Sequence, residues 1–530
     1  MRRALVLLAV LLALPPARAA AQPLPTPSPE PLTFALPRVG VVPGGTLSVG
    51  VRGGVPPFTV TTSFGVDAVY DAVQSALVLT GHAPGNGTVT LTDATGDSAT
   101  LPVLVAAPAG VVPAETTVRL AGVAGSAFAL GEIQALIAAA AQLRPGASLI
   151  VGGVSLPVQL RPGDTLDAPA AVTLAGNGRW VDVAGSTLVH LRVVSLPPLD
   201  PTVLFYSDDP ERITATEQGV LFHGTIGPTR PARIYAYHLA DQPRRVVVVL
   251  NATGGMVSDV QIVGTLAGPS ALFAYVGHLS TVRYLLARGS QQSVVVTVAP
   301  DAPFLLDLGV LAPGQLVAAI DDLRVLDGNT VDALVIAADP SLDPIGFLQQ
   351  PMLPGDGHGR RGEFSLLDVP PLALALTVGA PEPAPFVVGV PTLPNLTPGG
   401  RALGGDYGVL RSVELQLVNP TPTTQNVYLY EQLGKTSGGT TTTIWFTGDP
   451  APIEVPCILT PGTRYLVRGF AVGPNANETV GGQYMTDGTS SFPLFFGLTS
   501  TPPETATPGL CTGKPPPSPA PTTPAASGPQ

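Results

Sequence analysis

Gly87-Thr88-Val89-Thr90-Leu91-Thr92-Asp93-Ala94-Thr95-Gly96-Asp97 is the stretch that decides the reading of this chain. Threonine alternates with valine and leucine, so one face is apolar and the other polar, as a half-buried strand requires. The Asp-Ala-Thr-Gly-Asp that follows is turn chemistry. Working outward, runs of the same kind recur at Thr46–Val51, Phe58–Ser63, Ala76–Thr80 and Thr100–Val105. Gly53-Gly54-Val55-Pro56-Pro57 and Pro84-Gly85-Asn86 separate them. Many short strands at this spacing predict a β-sandwich over residues 33–107.

Two of these motifs are familiar. Gly53-Gly54-Val55-Pro56-Pro57-Phe58-Thr59-Val60, followed by Gly87–Asp97, resembles the bacterial immunoglobulin-like repeats of secreted and surface proteins. The resemblance is confined to 33–107 and implies an Ig-like sandwich acting as a spacer or adhesive unit, with no activity attached. After Pro108–Pro113, Ile133, Leu136, Ile137 and Ala140 share one helical face, Ser126 is placed to cap it, and Arg144-Pro145-Gly146 ends it. One helix is therefore expected near 126–143. Short strands follow within a module at 114–195. There Leu160-Arg161-Pro162-Gly163-Asp164-Thr165-Leu166, Val172-Thr173-Leu174 and Trp180-Val181-Asp182-Val183 resemble the periplasmic FecR-like β-domain over 148–194. The hairpin Gly176-Asn177-Gly178-Arg179 departs from that family's pattern.

Leu196-Pro197-Pro198-Leu199-Asp200-Pro201 marks the next boundary. Strand runs such as Ala232–His238, Arg245–Asn251 and Ser293–Val298 predict a β-sandwich at 200–340. After Pro340–Gly362, runs at Ser412–Val418, Asn426–Glu431 and Thr441–Phe446 predict another at 363–500. The expected fold class is mainly β: tandem Ig-like sandwich modules with one helix. The Pro-rich ends, a linker at 22–32 and a tail at 501–530, are expected to be disordered.

Composition supports this and excludes other classes. The 530 residues include 60 Gly and 60 Pro, yet 45% are hydrophobic and only 12% charged, which rules out a disordered polymer over most of the length. Collagen is ruled out by the lack of a Gly-X-Y period. Met1-Arg2-Arg3, the apolar run Ala4–Leu14 and the small-residue exit form a signal peptide over 1–21, cleaved near Ala19 or Ala21. The mature chain is expected to be extracytoplasmic, secreted or periplasmic. Its net charge of −11 becomes more negative once Arg2, Arg3 and Arg18 leave, which excludes nucleic acid and anionic membrane as partners. No later apolar run is long enough for a transmembrane segment. Cys457 and Cys511 are an even pair in an exported chain, so a disulfide is expected between them.

No catalytic motif emerges, and no catalytic or cofactor-binding residue is assigned. The six histidines have no metal-site spacing. Asp208, Asp209 and Glu211 are a calcium candidate, set against a plain solvated acidic turn. Asp321-Asp322 with Asp327-Gly328-Asn329 reads the same way. Gly434-Lys435-Thr436 lacks the glycine a phosphate loop needs, since Leu429 stands in its place. Tyr428 and Tyr430 are a candidate ligand patch, while Trp180 and Trp445 are assigned to packing. The expected role is non-catalytic: structural, scaffolding or adhesion-type binding to an unknown protein or polysaccharide surface. The alternatives are a carbohydrate-binding or carbohydrate-active protein, and a periplasmic regulatory partner.

Overall fold

The computed structural model describes residues 30–356, 360–389, 393–434 and 438–505. The leader, the tail beyond 505 and most of the 22–32 linker lie outside them. The chain is mainly β: the described residues form 34 strands, two α-helices and one short 3-10 turn. It divides into two units at Ala107/Pro108.

In the first unit, one four-stranded sheet orders Thr33–Phe34, Thr46–Arg52, Ala76–Gly81 and Val66–Asp71. The second orders Val39–Val41, Ser98–Val105, Gly85–Thr92 and Thr59–Thr62. Alternation does what the sequence demands: Val89, Leu91, Leu101 and Val103 turn inward onto Val49, Leu77 and Leu79, while Thr88 faces solvent. Residues 30–32 of the expected linker belong to this fold. Gly54 takes a left-handed φ of +75° and its N–H donates to Glu30 O at 2.9 Å, and Leu32 is buried.

The second unit departs from the expected beads. Its centre is an 11-stranded sheet whose order begins Ser148–Gly152, Thr165–Ala175, Val183–Val194, Glu115–Ala121 and Ser293–Val298. It continues through Ser258–Ser270, Gln315–Asp327, Ala232–Ala240, Val203–Ser207 and Arg361–Ser365. Glu115–Ala121 lies between Val183–Val194 and Ser293–Val298, so the segments read as separate modules at 114–195 and 200–340 share one sheet. Arg119 adds a bidentate pair to Asp259 at 2.5 and 2.6 Å. The expected boundary Leu196–Pro201 is clamped rather than open: Arg288 donates to Leu199 O at 2.7 Å and Arg324 to Pro197 O at 2.9 Å.

Helix α1 (Ser126–Ala140) and a four-stranded sheet of Gly219–Ile226, Val331–Ala338, Arg244–Ala252 and Phe304–Leu311 share one core with the large sheet. Ala129, Ile133 and Ile137 form the buried stripe of α1. Ser126 is the first helical residue, and no side chain caps this end. A second helix, α2 (Phe273–Ser290), covers the other face and corrects the expectation of one. Its sequence hides it: Gly277, Ser280 and Thr281 are poor helix formers, yet they are buried where small groups permit close approach. Strand Ala232–Ala240 is buried at every position because both faces are covered, so it shows no alternation.

The C-terminal part is a sandwich. Leu372–Thr377, Arg411–Asn419, Ala476–Thr486, Thr440–Phe446 and Ile453–Ile458 form one sheet. Phe386–Val388, Leu494–Thr499, Gln425–Leu433 and Arg464–Val472 form the other. Leu403, Tyr407, Val409 and Met485 join the α2 core, so this sandwich is packed onto the large sheet.

Candidate functional site

The acidic segment Tyr206–Arg212 leaves the end of strand Val203–Ser207 and feeds two faces of the large sheet. Period two sends Tyr206 and Asp208 to the α2 side, and Ser207 and Asp209 to the other. None of the two aspartates is solvated as a surface turn would be: Asp208 is 1% and Asp209 5% exposed. Asp208 pairs with Arg360 at 3.1 Å, and the same guanidinium donates to Glu211 at 2.5 Å. Asp209 Oδ1 accepts from the Asp356 backbone N–H at 2.5 Å, and Asp356 in turn accepts from the Glu211 N–H at 3.0 Å. The Arg360 guanidinium thus lies between Asp208 and Glu211. Among the described residues no three His, Cys, Asp or Glu groups are placed to hold a metal.

On the α2 side, Tyr206, Tyr235 and Tyr237 stand in a row, with centroids 5.0 and 6.2 Å apart and planes within 9° and 6°. Tyr407 stacks on Tyr235 at 6.3 Å. Burial, with the neighbouring Asp208 charge, pushes the phenols of Tyr206, Tyr235 and Tyr237 well above their ordinary value. Burial raises Asp208 too, and Arg360 opposes it. Tyr206 Oη, Tyr237 Oη and Asp208 Oδ1 are buried without a protein hydrogen bond, so the wall is polar but underpartnered.

Ser207 and His238 form a second arrangement. Ser207 Oγ lies 2.9 Å from His238 Nε2, and His238 Nδ1 lies 2.9 Å from Pro210 O. A carbonyl only accepts, so Nδ1 carries the proton and Ser207 donates to Nε2. Burial holds the imidazole down to about 4, which keeps it neutral. A hydroxyl donating to a neutral imidazole is nucleophile–base geometry, and both side chains are 0% exposed.

On the opposite face lies an open cleft of about 600 Å³. Asp209, His223, Arg361, Glu363, Asn395 and Arg401 supply its polar lining, with Met352 and Pro398 as exposed apolar surface over the buried Phe222. Glycines leave room for two of these groups. A Cβ on Gly355 would fall 2.6 Å from Asp209 Oδ1, and Cβ atoms on Gly362 or Gly400 would collide with the Asn395 side chain. Sequence reasoning missed this cleft, because its residues come from segments far apart in the chain.

Elsewhere the described histidines meet acids. His82 contacts Asp67 at 2.8 Å, His190 contacts Asp167 at 3.0 Å, and His223 lies 3.4 Å from Asp332. His278 on α2 bridges Asp487 and Glu454 of the C-terminal sandwich, both at 2.6 Å. His358 and Lys435 lie outside the described residues. The expected Tyr428–Tyr430 patch is corrected. A bulge between Leu429 and Tyr430 breaks the alternation, so Tyr430 is only 2% exposed and sits beneath the Arg464 guanidinium, 4.5 Å from the ring. Tyr428 is half-buried opposite Gly469. Cys457 sits on strand Ile453–Ile458, and Cys511 lies outside the described residues.

The Asp321-Asp322 pair is corrected as well. It lies within strand Gln315–Asp327, with Asp321 4% and Asp322 0% exposed. Asp322 receives Arg233 Nε at 2.7 Å, Tyr284 Oη at 2.7 Å and Arg288 Nη1 at 3.2 Å. Asp321, on the other face, has no cation: burial pushes it up to about 8, with help from Asp322 and Glu132. Its Oδ2 is without a partner.

No family model matches the chain, and no curated protein matches it. Solved structures do. Domains 4–9 of the surface layer protein SbsC align at 13% identity over 36% of this chain and 34% of that one, with a TM-score of 0.16. The insect immune protein hemolin aligns at 10% identity over 38% and 63%, with a TM-score of 0.14. Lac15 from a marine microbial metagenome aligns at 11% identity over 86% and 88%, with a TM-score of 0.11. The chain spans about a third of the surface-layer structure it matches. Among the described residues no helix is long and apolar enough to cross a membrane.

Proposed function

We propose that this chain is an exported β-protein with a non-catalytic structural, scaffolding or adhesion-type binding role. One observation carries the reading: several of its buried charges join segments remote in sequence. Arg233 holds Asp322 and also donates to Gly408 O at 3.0 Å, so the large sheet grips the chain leading into the C-terminal sandwich. His278 ties α2 to Asp487 and Glu454 of that sandwich. Arg411, held by Asp406 at 2.7 and 2.9 Å, reaches back to donate to Pro370 O at 2.8 Å. Buried ion pairs add little net stability but cost several kcal/mol when broken. Groups arranged in this way fix geometry, which suits presenting a surface.

The leader and the proposed Cys457–Cys511 bridge belong to the same reading. Fractionation of cells producing the tagged full chain tests it, read with mass spectrometry of the mature N-terminus. The expected product is extracytoplasmic and begins just after Ala19 or Ala21. An uncleaved cytoplasmic product sinks the reading.

A further inference from the structure

We propose that the cleft between Asp209, His223, Arg361, Glu363 and Asn395 is a binding site for a neutral, hydroxyl-rich ligand, a segment of saccharide. The inference rests on the binding half of the reading above and names the chemistry that half would serve. The volume of about 600 Å³ lies within the range of small-molecule sites. Charge then selects the class. Glu363 is neutralised by Arg230, which lies outside the lining, and His223 faces Asp332. Asp209 lies between opposite charges, the Asp356 carboxylate and the Arg361 guanidinium, and Arg401 adds a second cation to the lining. No strong field of one sign remains to select an ion.

Hydrogen-bonding capacity does remain. Arg361 commits Nη1 to Leu353 O at 2.7 Å and Leu221 O at 3.4 Å, leaving its other N–H groups. Asn395 donates to Arg361 O at 3.2 Å and accepts from Thr397 N at 2.9 Å, so its amide keeps a second N–H and a second lone pair. A sugar hydroxyl both donates and accepts, which matches a wall where guanidinium and amide donors alternate with the carboxylates of Asp209 and Glu363. Met352, 47% exposed, and Pro398 offer the apolar surface that the C–H face of a sugar ring needs. Gly355, Gly362 and Gly400 leave room for Asp209 and Asn395, and the hydrogen bonds of those side chains orient them beforehand, which lowers the ordering cost of binding.

The test titrates the purified mature chain with cellotetraose, chitotetraose, maltotetraose and an oligogalacturonate, using saturation-transfer NMR and calorimetry. At least one neutral oligosaccharide is expected to bind. Asn395→Ala and the more exposed His223→Ala, each checked for an unchanged melt, are expected to weaken it about 10-fold. Silence from every neutral sugar overturns the inference, as does binding that both variants leave unchanged. Binding of the uronate alone also overturns it. None of these outcomes alters where the chain resides, so the fractionation result stands or falls separately.

Discussion

Asp321→Asn replaces a buried carboxyl with the shape of its own protonated form. In the fold the carboxyl is pushed up to about 8, whereas in the open chain it titrates near its ordinary value of about 3.9. Below about pH 4 both states hold the proton and the group costs nothing. As pH rises the unfolded chain releases its proton first. Stability therefore falls through the window between these two values and levels off above about 8. At about 1.36 kcal/mol per pH unit, the full penalty is on the order of 5 kcal/mol, and water penetration will trim it. Asparagine never ionises. Thermal melts of the native chain and the variant at pH 4, 7 and 9 are expected to differ by under about 1 kcal/mol at pH 4. By pH 9 the variant should be more stable by about 2–5 kcal/mol. Taking the difference between the two proteins cancels groups that do not interact with Asp321, His238 among them. Two stability curves running parallel across this range would refute the placement of an ionisable group beside Gly264 and Glu132 without a cation.

Arg233→Met should lower stability by about 3 kcal/mol, because it strips one partner from the fully buried Asp322; urea midpoints measure it. The exposed pair Arg245–Asp307, at 2.8 Å, is the control, and Arg245→Met should cost under about 1 kcal/mol. Gly277→Ala would place a Cβ 2.5 Å from Gly488 O and should push α2 off the C-terminal sandwich at a cost of about 1–3 kcal/mol, with faster amide exchange in Phe273–Ser290. Intact-mass measurement of the unreduced, alkylated chain should show no modified thiol if Cys457 and Cys511 are bridged. Two alkylated cysteines would exclude the bridge.

The legible parts of this molecule are those where one face of a strand meets water. Gly85–Thr92 shows its role because Val89 and Leu91 alternate with threonine. Ala232–Ala240 reads as a strand from its aromatic and β-branched residues, yet gives no cue that α2 and the four-stranded sheet cover both of its sides. The same shortage of contrast hid α2, whose buried small and polar residues fit no amphipathic stripe. The acids were misread for a related reason. Asp208-Asp209-Pro210 and Asp321-Asp322 look like turns when judged by type alone. Yet Val317-Ala318-Ala319-Ile320 and Leu323 flank the second pair, and two acids inside an unbroken apolar strand run signal an interior charge network. The cleft left no local trace at all, since strands Gly219–Ile226 and Arg361–Ser365 and the 395–401 loop meet only after folding.

Strand Glu115–Ala121 waits longest for its neighbours. Leu120 pairs with Val193 on one side, but on the other it needs Val294, which is synthesised much later. Val203–Ser207 similarly needs Arg361–Ser365. A chain threaded outward from its N-terminus must keep such edges unzipped until most of its length has arrived, and long-range pairing of this kind is slow and prone to sticking. Shortened versions that begin near 200 would expose the bare flank of Ser293–Val298 and invite self-association. The protein therefore resists dissection: from Pro108 onward, its parts reach maturity together.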